Sequence, residues 1–164
     1  MYTEQDLTDI REQQKRRWIA LTVPCVVMAI AAIAVLIIRG QRILDDTTAQ
    51  IIVDVLSVLI AFLLIGGYGL MIKPLHCYEK HLNGLLHGIT HEIDDCTFAR
   101  LDQDISLVDG VRYYALTVTR LDEKQKPYEQ LFYFDAEKDR PSYAEGTRLR
   151  IVYHDRAIGA IQAV

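Results

Sequence analysis

WIALTVPCVVMAIAAIAVLII at Trp18–Ile38 and IIVDVLSVLIAFLLIGGYGLMI at Ile51–Ile72 are the two stretches on which the fold turns. The first contains no Asp, Glu, Lys, Arg or His. Each reaches roughly 30 Å as a helix, the hydrocarbon thickness of a bilayer. The run after Arg17 outlasts the apolar core of a signal peptide. It ends in Leu36-Ile37-Ile38-Arg39 rather than in a small-residue cleavage site, so it reads as a retained span. The expected architecture is an α+β membrane protein in which a transmembrane hairpin, 18–72, precedes a small cytosolic antiparallel β-barrel. A large enzyme is excluded by what remains of the 164 residues.

Basic residues near the span ends set the expected orientation. Arg11, Lys15, Arg16 and Arg17 precede the first span and Lys73 and Lys80 follow the second, whereas the loop 39–50 carries only Arg39 and Arg42. Both termini are therefore expected in the cytoplasm, with a multi-pass chain in the cell membrane. Trp18, Tyr68 and Tyr78 suit the cytosolic headgroup level. Pro24 removes one backbone donor from the first helix and can kink it. Ser57, Ala61, Gly66, Gly67 and Gly69 supply the small side chains by which helices pack in lipid, on each other or on another subunit. Asp54, about one turn inside the external end of the second helix, is the one acid in a span. It suits the positive end of the helix dipole, or a polar path in which it pairs with Arg39 or Arg42 of a neighbour.

Residues 1–17 form an arm in which acids (Glu4, Asp6, Asp9, Glu12) precede bases, as a helix dipole prefers. Thr3 with Asp6 resembles a capping box. Leu7 and Ile10 make a short apolar strip, so a surface helix running into the first span is expected. Beyond the second span, Leu75, Tyr78, Leu82, Leu85 and Leu86 recur at helical spacing and Gly88 is placed to stop the helix. This 73–88 segment is expected to lie on the headgroups or to form an oligomer stalk. It also carries Cys77 and His81, then His87 and His91, with Cys96 behind. The spacing i, i+4 puts two ligands on one helix face, but the set matches no standard zinc pattern. No metal or cofactor is expected. Three cysteines on the reducing side or in lipid imply no disulfide framework.

From Ile89 the period changes to two. Asp94-Asp95 turns or bulges the chain, and Asp109-Gly110 between Ile105–Val108 and Val111–Leu121 is a two-residue hairpin signal. Tyr128–Asp135 is rich in aromatics, Ala136–Gly146 is a loop, and Thr147–Tyr153 and Ile158–Val164 close the pattern. Five or six strands in hairpin order avoid exposed edges best as a barrel, 89–164. This order resembles an oligonucleotide/oligosaccharide-binding (OB) barrel, with an SH3-like barrel as alternative. The layout is similar to that of NfeD-type membrane proteins, which join membrane helices to a C-terminal OB domain.

Residues 73–164 hold 12 Lys/Arg against 15 Asp/Glu, and the whole chain has a net charge of −4. No positive groove for nucleic acid is evident. Tyr113, Tyr114, Phe132, Phe134 and Tyr153 are expected in the core and in cross-strand pairs. Ser106 and Ser142 have no local base, no phosphate loop follows a strand, and Asp102 with Asp104, or Asp135 with Glu137 and Asp139, read as solvated loop acids. No small-molecule substrate is evident. The expectation is therefore non-enzymatic: the spans anchor a β-domain for protein–protein contact or complex assembly, through self-association or a larger membrane partner. The alternative is a small homo-oligomeric channel lined by the second helix.

Overall fold

The computed structural model describes residues 1–41 and 45–164; Arg42, counted above in the loop and as a partner for Asp54, lies outside them. The chain is α+β, two long apolar helices followed by a closed five-stranded barrel. Helix α1 covers Glu4–Gly40, α2 covers Asp46–Gly67, a π-helical turn covers Tyr68–Ile72, and α3 covers Lys73–His87. The runs Glu4–Gly40 and Asp46–His87 are each long and apolar enough to cross a membrane. Two compact units result, residues 11–76 and residues 1–10 with 77–164.

Helix α1 starts where the capping box places it. The Thr3 N–H donates to Asp6 Oδ2 at 2.8 Å and the Asp6 N–H donates to Thr3 Oγ1 at 3.3 Å. Pro24 stands inside the helix without ending it. Helix α2 begins earlier than its apolar run, because Asp45 caps it and accepts from the Thr48 N–H at 3.4 Å. Asp54 is consequently about two turns into the helix rather than one, beyond the reach of the terminal dipole. Asp46 holds the first-turn position and takes Arg39 at 2.8 Å.

Within residues 11–76, α1 and the end of α2 meet side by side. The Trp18 and Tyr68 ring centroids are 6.2 Å apart, Arg17 donates to the Met71 carbonyl at 3.2 Å, and Leu21 is buried. The π-helical turn widens the spiral at that point, and the arginine satisfies one of its carbonyls. Most of the remaining apolar surface is open: Ile30 is 61%, Phe62 74% and Ile65 77% exposed.

The strands are β1 (His91–Val108), β2 (Val111–Leu121), β3 (Pro127–Asp135), β4 (Arg148–His154) and β5 (Ala157–Ala163). They close in the order β1-β2-β3-β5-β4, antiparallel except where β3 meets β5 at Tyr133 and Ala157. Strand β1 pairs with both β2 and β4, slipping register between Ile93 and Cys96, between Phe98 and Arg100 and between Leu101 and Ile105. The last slip lies at Asp102 and Asp104, which sit within the strand and do not flank a loop as expected. The turn at Asp109-Gly110 has positive φ at both residues (51° and 81°), the geometry that matches the twist of a two-residue hairpin. Alternation sends Phe98, Leu116, Val118, Phe132, Phe134, Leu149, Ile151 and Ile158 into the barrel core.

A second apolar cluster lies on the outside of the barrel wall. Val111, Tyr113 and Ala157 pack there with Leu85 of α3, flanked by Tyr2, Cys77, Tyr78 and Tyr133. Helix α3, expected on the headgroups or in a stalk, thus sets Leu85, Cys77 and Tyr78 against the barrel. Its apolar stripe from Tyr78 to Leu85 is spent on the chain's own barrel.

Candidate functional site

Asp135 ends β3, and alternation turns it away from the core that holds Phe132 and Phe134. Its register partner on β2 is Tyr113, so both side chains leave the same outer face. That face is where α3 and residues 1–10 pack, and the Asp135 side chain has no exposed surface. An unpaired buried carboxylate would be costly, so its oxygens require donors. Oδ2 accepts from the Tyr78 phenol at 2.6 Å and from the Tyr2 phenol at 3.0 Å. Oδ1 accepts from the Glu137 N–H at 2.9 Å. Two distant chain segments and the local backbone at Glu137 thus converge on one carboxylate.

His81, one turn along α3 from Tyr78, stands beside this carboxylate in a tyrosine cage. Its ring centroid is 5.9 Å from Tyr2, 5.8 Å from Tyr78 and 5.4 Å from Tyr113. Nδ1 shares a 3.0 Å hydrogen bond with the Tyr113 hydroxyl, while Nε2 is buried without a partner. Burial pushes the imidazole below its ordinary pKa, outweighing the opposing field of Asp135. Burial, reinforced by Asp135, pushes the Tyr2, Tyr78 and Tyr113 phenols far above theirs, so all three remain neutral donors. Lys138 completes the rim, 5.0 Å from the Tyr2 ring centroid and 3.2 Å from Asp6 Oδ1.

The arrangement is built to hold segments together. Hydrogen bonds to a buried charge are short and strong, and the two from Tyr2 and Tyr78 each tie Asp135 to a different segment. Asp135 was expected as a solvated loop acid and is instead the least exposed acid of the site. Its one sequence signal is its position at the end of an aromatic strand, alternating with Phe134 and on the same face as Tyr133. Tyr78, expected at the headgroups, points its hydroxyl at Asp135. Tyr2 carried no signal at all.

The other predicted residues are placed apart from this cluster. Of the cysteines and histidines with metal-like spacing, Cys77 lies against Gly110 and His87 pairs with Glu4 at 3.2 Å. His91 stacks on Tyr153 with centroids 5.6 Å apart, and the Cys96 thiol donates to the Leu149 carbonyl at 3.1 Å. Among the described residues no group of three or more His, Cys, Asp or Glu is placed to share an ion. Ser57 turns its hydroxyl back to the Val53 carbonyl at 2.8 Å, and Ala61 and Asp54 are exposed. Of the small-residue set, Gly67 faces the Leu21 side chain, whereas a Cβ on Gly66 or Gly69 would meet nothing within 4 Å. No protein family matches the chain, and no curated protein or solved structure matches it either.

Proposed function

We propose that the chain is an integral membrane protein whose helical hairpin anchors a cytosolic, OB-like barrel, and that it works without catalysis as an accessory or scaffolding subunit. The observation that carries this reading is the surface of the two long helices. Val, Ile, Leu and Phe side chains are exposed along them, a surface that water disfavours and lipid accepts. The strand order β1-β2-β3-β5-β4 with its parallel β3–β5 contact supports the OB-like reading over the SH3-like one. The acid excess of residues 73–164 supports a protein partner rather than a nucleic acid. The outer barrel face is covered by α3 and Tyr2, which leaves the other walls as the contact surface.

Membrane fractionation and labelling test the anchor. The chain is expected to stay in the pellet after alkaline carbonate extraction. A cysteine at Thr48 is expected to label from outside intact cells while one at Lys138 does not. Mass measurement after purification in mild detergent tests the scaffold: several copies, or a stoichiometric second subunit, are expected. A carbonate-soluble chain would reject the anchor, and a lone monomer would reject the scaffold.

A further inference from the structure

Residues 1–10 are bound to the barrel unit by contacts of several kinds. Leu7 is buried, Tyr2 reaches Asp135, Asp6 meets Lys138, and Glu4 meets His87. The Tyr2 ring also forms one wall of the His81 cage, edge-on to the imidazole. The remaining walls, Tyr78 and Tyr113, belong to elements fixed by buried neighbours such as Leu82, Leu85 and Val111. Tyr2 is the wall contributed by residues 1–10 and not by α3 or a strand.

A neutral imidazole fits this cage with a single N–H, and Tyr113 is available to Nδ1 as either donor or acceptor. An imidazolium carries two N–H groups. Its Nδ1–H still has Tyr113, but its buried Nε2–H meets no acceptor among the described residues. We propose that residues 1–10 are a strap that the barrel holds while His81 is neutral, so that acidification swings Tyr2 out and frees the start of the first helix.

The groups facing His81 are Tyr2 from the strap, Tyr78 from α3, Tyr113 from β2, Asp135 from β3 and His154 from β4. Asp135 favours the imidazolium, while burial, the larger effect, and His154 oppose it. Because the closed form holds His81 below its ordinary value, the strap is fully held above about pH 6.5 and is progressively lost below it. Two ion-pair contacts also hold the strap. The Glu4–His87 contact at 3.2 Å joins two side chains that are each more than half exposed, which makes it weak. Asp6 is held below its ordinary range by its Thr3 bonds, so its pairing with Lys138 does not respond in this window.

Hydroxyl-radical footprinting of the full chain in detergent at pH 7.5 and pH 5.5 tests the strap. Oxidation of Tyr2 and Leu7 should rise at least about threefold at the lower pH while Phe132 and Phe134 stay protected. His81→Gln, which cannot take a proton, should abolish the rise, and His87→Gln should preserve it. Tyr113→Phe removes the Nδ1 partner of the imidazolium and should move the midpoint to lower pH. The strap is overturned by a flat wild-type profile or by joint exposure of Phe132 and Phe134. It is equally overturned by a rise that survives His81→Gln or disappears in His87→Gln. Should His81→Gln fail to fold, an unchanged midpoint in Tyr113→Phe overturns it.

Discussion

The phenol of Tyr78 donates to Oδ2 of Asp135 at 2.6 Å, joining α3 to the end of β3 across 57 positions of sequence. Tyr78 is one of three donors, with the Tyr2 phenol and the Glu137 N–H, to a carboxylate that has no exposed surface. The bond therefore fixes the helix against the barrel as well as neutralising a burial cost.

Asp135→Asn is expected to destabilise the chain by about 2–4 kcal/mol, since an amide NH2 would face donors that now point at a carboxylate. Tyr78→Phe should lose about 1.5–3 kcal/mol, and Tyr2→Phe, on a longer bond, about 1 kcal/mol. In a thermal melt each kcal/mol appears as about 4–8 °C for a domain near this size. An unchanged melt for Asp135→Asn would show that the carboxylate has no structural role.

Two barrel fragments differ by the last turns of α3. Residues 77–164 should melt at a higher temperature than 89–164, because Leu82 and Leu85 are buried and Tyr78 serves Asp135. Burial of two leucines contributes about 3–6 kcal/mol by area, which circular dichroism melts of the two fragments would resolve. Equal melting points would mean that the outer face needs no cover.

Among the three clustered glycines only Gly67 has a close neighbour. A Cβ there would strike the end of the Leu21 side chain, which can rotate away, so Gly67→Ala should be tolerated. Gly67→Leu should separate α1 from α2 and lower the detergent melting temperature, whereas Gly66→Leu should leave it unchanged. Equal effects at positions 66 and 67 would place the important contact outside the hairpin.

The turn between β4 and β5 holds Asp155 and Arg156 at φ values of 47° and 69°, where glycine is favoured. The Arg156 carbonyl accepts from the Tyr133 N–H at 2.8 Å, so the strained turn also closes the barrel between β3 and β5. Arg156→Gly should keep that bond, relieve the left-handed strain and stabilise the fold by about 1 kcal/mol. A lower melting temperature would show that the arginine side chain has a role of its own.

Local chemistry made much of the fold legible. Two long apolar runs, the second broken only by Asp54, specify long helices, Thr3 and Asp6 mark where one begins, and Gly88 where another ends. Asp109-Gly110 and the period-two alternation specify hairpin strands, because those signals act over a few residues and need no partner to be read. The fate of side chains at element ends depended on what lay across the fold. Asp135 differs in sequence from the loop acid Asp139 only in ending an aromatic run, and Tyr78 looks the same as an interfacial tyrosine. Barrel closure sends Asp135 outward, and α3 then covers it together with residues 1–10. Those contacts join positions up to 133 residues apart, a separation over which sequence pattern carries no register. The sequence by itself determined the elements and their order. Only the tertiary structure decided which polar groups lost access to water, because burial belongs to the packed surface and not to any one segment.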